Sequence, residues 1–281
     1  MHPIEHLRYL ARAGYADAPE LVAETASALR GLGVGHANLV LTCRRIVERH
    51  PTCGPLWWLC AELLTALEPR DTLRRCVDRV RGDSTPAHLS DHLAARFPDG
   101  GMFAVNGWSW EIALAAVQSA QSQSNDFEVC VVDGDNGADH MVRVLERNEV
   151  VTHLVEPQRA AAAVGECDAV VISTMFADPE NLWTPIGAAQ LASVAYCAGI
   201  EVIATTPAGT RLPKVFTDAI VQLVDDDTRG EAWHRDVEAV PLALLTTLVS
   251  DGGVEDAATL LARGIRIEAP AATELTVRSA M

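Results

Sequence analysis

The chain has 281 residues, of which 49% are hydrophobic, and its formal net charge is −16. This length accommodates one large α/β domain or two unequal ones, and the apolar fraction excludes a largely disordered chain. The acidic balance argues against binding to nucleic acid or to an anionic membrane, since both favour a basic protein surface.

Several features of the sequence predict a cytoplasmic protein with reduced cysteines. Met1–Ala11 carries charged side chains before any apolar run, which predicts no secretory signal. No apolar run approaches the roughly 18 residues of a membrane span. The seven Cys residues lack metal-like spacing, and Cys130, Cys167 and Cys197 lie in or beside apolar segments. We therefore expect structural thiols and no metal site.

The first hundred residues predict a series of helices. Apolar residues recur at helical spacing in Ala18–Leu32 and again in Ala37–Glu48. A third helix begins near Thr52 and ends at Pro69, and it carries the adjacent residues Trp57 and Trp58. Because neighbouring residues point in different directions on a helix, we expect only one of these tryptophans to face the core. Two further helices are predicted, one capped by Asp71 and one at Ala87–Arg96.

From residue 97 the pattern changes to short apolar strands that alternate with helical segments. The predicted strands are Gly101–Val105, Phe127–Val132, Val150–Val155, Asp168–Ser173, Ile200–Thr205 and Ala219–Val224. The predicted helices between them are Trp110–Ser119, Asp139–Arg147 and Gly187–Cys197. Such alternation is typical of a parallel sheet that is covered on both faces. The sequence thus predicts an α/β protein, with a helical domain of residues 1–96 followed by a Rossmann-like domain of residues 97–281.

The segment Asp168–Leu191 is the first candidate for a functional site. It is interpreted as a buried strand, then a polar and aromatic loop, then a helix that begins at Ile186 and Gly187. In open α/β sheets, ligands bind in the crevice beyond the carboxyl ends of the strands. The loop is therefore expected at the place where ligands bind.

Four segments in order resemble the initiation factor 2B α/β/δ family, which also contains methylthioribose-1-phosphate isomerase and ribose-1,5-bisphosphate isomerase. His50–Trp57 is similar to the family's RPT-x-x-x-L-[FW] helix start, and Val131–Leu145 is similar to the strand and helix that carry E-[ST]-R-P. Asp168–Leu191 is similar to the segment with G-A-D and N-K-[IV]-G, and Val240–Val254 to the terminal T-P…G-V stretch. The resemblance covers most of the chain and implies a Rossmann-like domain behind a helical one.

The same four segments differ from the family at its chemical residues. The resemblance implies a catalytic Cys after the first strand of the sheet and a catalytic Asp in G-A-D. Here the first strand is followed by Asn106, Gly107 and Trp108, and Met175 stands at the position of the acid. Pro185 replaces the family's Lys, and the position of its Arg falls in an acidic turn. A thioether cannot exchange protons and an acidic turn repels phosphate, so we expect the isomerase reaction to be lost.

Other motifs give little support for a catalytic site. No GxGxxG follows a strand, and neither a P-loop nor a GxSxG elbow is present, so no cofactor is predicted. Asp133 and Asp135 end a strand, where they either form a solvated turn or bind a hydroxyl-rich or cationic ligand. Trp108, Trp110 and Trp183 either pack as ordinary loop residues or form an aromatic wall around a planar ligand.

Two hypotheses about function follow. The first is a diverged, non-catalytic initiation factor 2B-like protein that binds a ligand or serves as a regulatory or assembly subunit. The second is an isomerase-type enzyme with replaced catalytic residues, acting on a sugar-phosphate or nucleoside-like substrate. Both predict a small polar ligand, the candidate binding residues being Asn106, Gly107, Trp108, Glu111, Asp133, Asp135, Ser173, Thr174, Trp183 and Gly187. The resemblance also implies a homo-oligomer, with dimers formed through the C-terminal domain and a contribution from Val240–Val249.

Overall fold

The structure is a computed structural model that describes residues 17–30, 36–122, 126–134 and 137–276. Within these ranges the first strand is preceded by helices α1 (Ala18–Arg30), α2 (His36–Arg49), α3 (Gly54–Thr65), α4 (Pro69–Arg81) and α5 (Thr85–Arg96). The helices predicted from the sequence are present with shifted ends. Pro69 begins α4 and does not end α3, since proline is well suited to the first position of a helix.

Helix α3 is the centre of the helical region. All of its residues except Glu62 and Thr65 are buried, as expected of a mainly apolar helix inside a core. Trp57 and Trp58 are only 1% and 2% exposed, so the prediction that one of them leaves the core is wrong. The Trp57 ring lies 5.6 Å from that of Phe216, and the Trp58 ring lies against Gly209. Both tryptophans therefore join the helical region to the C-terminal half of the chain.

The C-terminal half alternates strands with helices. The strands are β1 (Gly100–Asn106), β2 (Asp126–Val132), β3 (Val151–Val155), β4 (Ala169–Ser173), β5 (Phe176–Ala177), β6 (Asn181–Pro185), β7 (Glu201–Thr206), β8 (Val237–Pro241), β9 (Thr247–Ser250) and β10 (Gly253–Asp256). The helices are α6 (Trp110–Ser122), α7 (Ala138–Arg147), α8 (Ala160–Gly165), α9 (Ala188–Ala198), α10 (Lys214–Asp227) and α11 (Ala257–Arg263).

The main sheet has the strand order β10-β9-β7-β4-β1-β2-β3 and is parallel except for β10. Successive side chains of each strand face opposite layers of helices. Phe103, Val105 and Val171 pack in one core cluster with α5, α6 and α7. Ala104 and Val170 pack on the other face in a cluster with α8, α9 and α11. The predicted doubly covered, mostly parallel sheet is therefore confirmed.

A second, three-stranded sheet of order β5-β6-β8 occupies the segment that was predicted to be an irregular loop. Strand β6 pairs antiparallel with both β5 and β8. Phe176 and Leu182 are fully buried, and the rings of Phe176 and Trp183 are stacked with centroids 5.5 Å apart. The prediction missed these strands because they are short and because β6 pairs with β8, which lies more than fifty residues further along the chain.

One prediction for the region after β7 is wrong. Ala219–Val224 was predicted to be a strand, but it lies inside helix α10, whose buried side chains Phe216, Ile220 and Val224 are spaced by a helical turn. Val240–Val249 was expected to contribute to a dimer contact. Most of its apolar side chains are buried within the chain, Val240 and Val249 completely, and its contribution to a dimer contact stays a prediction.

The C-terminal segment Ile265–Leu275, which we call the strap, runs back from the sheet to the helical region. Ile265 packs in the core cluster of the sheet, whereas Ala269, Ala272 and Leu275 pack in the core cluster of the helices. Arg44 also donates its Nε–H to the carbonyl of Glu274 at 2.7 Å. The strap therefore connects the two regions, a role that its lack of periodicity did not predict.

The packing of α5 bears on the division of the chain. Leu89 and Leu93 of α5 pack in the same cluster as strands β1 and β2. The core of the other helices continues into α10 and the small sheet, through Phe176, Phe216 and Val237. The division of the chain at residue 97 stays a prediction.

Candidate functional site

The main sheet has a topological switch point between β1 and β4. The chain runs from β1 outward to β2 and β3 on one side, and then returns to β4 on the other side of β1. The connections that leave β1 and β4 therefore diverge, which opens a crevice at the carboxyl ends of these strands. Asn106 and Ser173 are the last residues of β1 and β4. The structure thus places both residues at the edge where ligands bind in this class of fold.

Glu111 lies in this crevice and links three parts of the sheet edge. Its Oε1 accepts hydrogen bonds from the Ser173 hydroxyl at 2.5 Å and from the Thr205 hydroxyl at 2.9 Å. Ser173 and Thr205 are paired residues of β4 and β7, and their position in the strand alternation places them on the face covered by α6. Glu111 belongs to the first turn of α6, so its carboxylate meets both hydroxyls. Only 1% of the residue is exposed.

Burial raises the pKa of Glu111 above its ordinary value of 4.5. Hydrogen bonds from Ser173, Ser109 and Thr205 and from the backbone N–H of Glu111 act in the opposite direction, but burial has the larger effect. The site therefore holds a desolvated carboxyl group whose hydrogen-bonding capacity is used by the protein itself. Such a group either locks the sheet edge or serves as a proton donor and acceptor.

Asn106 connects the end of β1 to the start of α9. Its Nδ2 donates to the carbonyl oxygens of Pro185 and Ile186 at 3.3 and 2.9 Å. Gly187 follows with φ +99°, where a side chain would be strained, and a Cβ there would lie 2.9 Å from Oδ1 of Asn106. The structure therefore brings together Asn106 and Gly187, and it confirms the helix start predicted there. Gly107 turns the chain after β1 and donates its N–H to the Val132 carbonyl.

The remaining candidates at the ends of β1 and β2 do not join this cluster through any contact that the structure shows. The Trp108 indole donates to Asp17 at 2.7 Å, and its ring meets that of His140 edge-on at 4.2 Å. Asp133 is exposed, as expected of a solvated turn. Asp135 lies outside the described residues. Trp108 therefore packs between α1 and α7, whereas Trp183 stacks on Phe176, as in the alternative of ordinary packing.

The positions of the family's acid and lysine are used for packing. Met175 donates its N–H to the Trp183 carbonyl, and its own carbonyl accepts from the N–H of Gly54 at 3.2 Å. The side chain of Met175 packs against the helical core. The carbonyl of Pro185 accepts from Asn106. These two positions therefore hold α3 and β1 against the sheet edge.

Two groups of residues at this edge were missed by the sequence analysis. Thr205 is the last residue of a predicted strand, and the sequence Thr-Thr-Pro at the end of that strand was the available signal. A cluster of charged residues lies beyond β7 and β9, where two arginines contact two carboxylates: Arg79, Arg211, Asp251 and Glu268. No local pattern marks this cluster, because its members come from α4, two loops and the strap.

Among the described residues, no group of His, Cys, Asp or Glu could hold a metal ion. Over the same part of the chain, every helix is too short or too polar to cross a membrane. All seven cysteines are free, and Cys197 is the exposed one. The candidate site thus consists of hydroxyl, amide and carboxyl groups at the carboxyl edge of the main sheet.

The fold and the site define a Rossmann-like α/β protein whose helical region is packed against the carboxyl edge of the sheet. No protein-family model and no curated protein sequence matches the chain. Solved structures do match. The translation initiation factor eIF-2B of Pyrococcus horikoshii OT3 superposes with a TM-score of 0.72 at 13% identity, over 90% of this chain and 96% of the other.

Two further solved structures show the same fold. The tetrameric eIF2B-beta2-delta2 complex of C. thermophilum gives a TM-score of 0.70 at 16% identity, over 92% of this chain and 91% of the other. The eIF-2B subunit delta of A. fulgidus gives 0.61 at 15% identity, over 91% and 88%. The chain therefore has the fold of the initiation factor 2B subunits, which confirms the fold implied by the sequence motifs.

Proposed function

We propose that this chain is a non-catalytic, initiation factor 2B-like subunit in the cytoplasm that acts by ligand binding and assembly. The observation that carries the proposal is the occupation of the switch-point crevice by the carboxylate of Glu111. Ser173 and Thr205, the hydroxyls at the ends of β4 and β7, donate to this carboxylate. An incoming sugar phosphate would have to compete with a tethered anion and would meet like charge.

The replaced residues support the same proposal. Ring-opening isomerisation needs a proton donor and acceptor, and Met175 supplies neither. Purified protein should therefore not turn over ribose 1,5-bisphosphate or methylthioribose 1-phosphate. Turnover at enzyme-like rates that is retained through purification and lost in a Glu111→Gln variant would contradict the proposal.

The alternative is an enzyme with replaced chemistry, and one observation favours it. Glu111 is a buried carboxyl group with a raised pKa, 2.5 Å from a serine hydroxyl at a sheet edge where active sites occur. The exposure of Asp133 weakens this alternative, since that residue was one of its candidate groups. A thermal-shift screen of sugars, nucleosides and their phosphates, followed by product analysis of any stabilising compound, separates binding from turnover.

Assembly forms the second part of the proposal, as a homodimer through the C-terminal region. The edge strand β3 exposes Val151 and Leu154, each by 53%. A strand at a sheet edge that exposes apolar side chains and unpaired backbone groups favours pairing with another chain. The solved relative from C. thermophilum is described as a tetrameric complex.

Light scattering at micromolar concentration tests the dimer. Leu154→Glu should lower the dimer fraction, because it places a charge in the proposed contact. Leu67→Glu is the matched control, since Leu67 is 97% exposed in the helical region and should tolerate the same change. A monomeric parent protein, or equal effects of both substitutions, would contradict this part of the proposal.

A further inference from the structure

The loop Pro207–Arg211, which follows β7, presents its backbone N–H groups to carboxylates. Ala208 donates to Oδ2 of Asp83 at 2.7 Å. Gly209 and Arg211 both donate to Oε1 of Glu268, at 2.7 and 3.1 Å. Gly209 has φ +88°, and a Cβ there would lie 3.0 Å from Pro55 and Trp58. Successive N–H groups that converge in this way form an anion-binding nest.

The second oxygen of Glu268 is bound by guanidinium groups. Its Oε2 accepts from Nη2 of Arg79 and from Nη2 of Arg211, the latter at 3.1 Å. Each carboxylate oxygen of Glu268 thus has two donors, and two of the four are charged. Asp251 also pairs with both arginines, at 3.0 and 2.6 Å. Without Glu268, the N–H groups of Gly209 and Arg211 would lose their acceptor, and the two arginines would keep one paired carboxylate, that of Asp251.

The surroundings contain donors that the described protein atoms do not satisfy. Thr206, the last residue of β7, is fully buried, and its hydroxyl has no partner among the described residues. Trp58 is 2% exposed, and its Nε1 likewise lacks a partner in the described part of the chain. The same holds for Nε of Arg211. Buried polar groups are normally paired, so these atoms are donors in excess of the acceptors that the described residues supply.

Glu268 belongs to the strap, so it fills the nest only while the strap stays in place. The strap leaves the sheet at Ile265 and enters the helical core at Ala269, so Glu268 lies at the crossing. The side chain of Glu268 is only 6% exposed, whereas that of Arg79 is 38% exposed. Arg79 is therefore the more solvent-exposed member of this pair.

We propose a binding site for a small oxyanion, that is, a phosphate or carboxylate group. The site is formed by the nest of Gly209 and Arg211 and by the guanidinium groups of Arg79 and Arg211. Glu268 fills this site when no oxyanion is bound. The four donors that hold the Glu268 carboxylate match the acceptor oxygens of such a group. Binding displaces Glu268 and releases the strap between the sheet and the helical region. This site is separate from the Glu111 crevice, and the inference would survive the detection of enzymatic turnover there.

Thermal unfolding of variants tests the site with inorganic phosphate as the probe. Glu268→Ala vacates the nest, and Glu274→Ala is the matched control, because Glu274 is an exposed acid of the same strap. Melting is measured in phosphate, in acetate and in chloride at equal ionic strength, where acetate distinguishes carboxylate from phosphate recognition. At about one hundred times the Kd, phosphate should raise the Tm of Glu268→Ala by roughly 5 to 10 °C. The further change Arg211→Gln should remove this gain.

The unaltered protein provides a second measurement that does not depend on the folding of a variant. Phosphate should accelerate hydrogen exchange of backbone amides in residues 265–275, since it competes with Glu268, while exchange in α7 stays unchanged. The proposal is overturned if neither phosphate nor acetate stabilises Glu268→Ala more than Glu274→Ala. It is equally overturned if Glu268→Ala does not fold and neither oxyanion changes exchange in the strap of the unaltered protein.

Discussion

Replacement of Glu111 tests whether the crevice carboxylate stabilises the sheet edge. Glu111→Ala removes the acceptor of two hydroxyl donors, Ser173 at 2.5 Å and Thr205 at 2.9 Å, and leaves a cavity at a residue that is 1% exposed. The hydroxyl of Thr205 can still donate to the Ile172 carbonyl, which offsets part of the loss. The remaining loss of hydrogen bonds to a buried charged group should lower the free energy of unfolding by about 2 to 4 kcal/mol.

The variant Glu111→Gln separates the charge from the hydrogen bonds, because it keeps an acceptor oxygen at the same place. A carboxyl group whose pKa is raised in the folded state binds its proton more tightly when folded than when unfolded. Its contribution to stability is therefore present at low pH and falls as the pH rises from 4.5 through the folded pKa. A tenfold difference in proton affinity between the folded and unfolded states corresponds to about 1.4 kcal/mol. The difference in free energy of unfolding between Glu111→Gln and the parent should grow in favour of the variant over this range.

Urea unfolding at a series of pH values measures this difference. Glu146→Gln is the matched control, since Glu146 is an exposed acid on α7. It should follow the parent protein at every pH. Parallel curves for the parent and Glu111→Gln would refute the reasoning, and a parent that gains stability relative to Glu111→Gln as the pH rises would show that the hydrogen bonds outweigh burial.

Three further predictions concern packing and reactivity. Gly209→Ala should lower the free energy of unfolding, measured by urea titration, by about 1 to 3 kcal/mol, because Gly209 has a positive φ and a Cβ there would contact Pro55 and Trp58. Gly165→Ala is the control: a Cβ at Gly165 meets nothing within 4 Å, so this change should be neutral or stabilising. Met175→Asp should not produce isomerase turnover, and a gain of turnover would contradict this prediction. The same change should lower the free energy of unfolding by about 1 to 3 kcal/mol, since the new carboxyl group would be partly buried in the helical core. Titration with a thiol reagent should show one rapidly reacting cysteine, which Cys197→Ser removes, because Cys197 is the exposed thiol; a rapid phase that persists in this variant would contradict the assignment.

The elements that the sequence predicted correctly are those with local periodicity. Strands β1, β2, β4 and β7 are short apolar runs beside helical segments, and their burial on both faces of the sheet makes such runs continuous. The start of α9 at Gly187 was also predictable, because a left-handed glycine after a loop has a local signature. Periodicity failed for Ala219–Val224, where a short apolar run is compatible with either a strand or a helix.

The candidate site was predictable only in part, because its contacts span large separations in the chain. Asn106 and Ser173 were candidates since each ends a strand, and Glu111 was one because it follows the first strand beside Trp108 and Trp110; the structure places all three at the crevice. Their partners were not predictable: Thr205 is 94 residues from Glu111. Glu268 and Arg79 are 189 residues apart and belong to segments without any shared pattern. Tertiary pairing of this kind leaves no periodic signal in a single sequence.

The acidic side chains at this edge of the sheet serve as internal hydrogen-bond acceptors. Three carboxylates, those of Glu111, Asp83 and Glu268, accept the hydroxyl and backbone donors at and beyond the ends of β4 and β7. A ligand anion would otherwise be the natural partner of such donors. Because these donors are satisfied from within, the frame does not depend on a bound phosphate. The fold is therefore evidence of shared architecture alone. Binding of an anionic ligand at this edge would require displacement of the internal carboxylates.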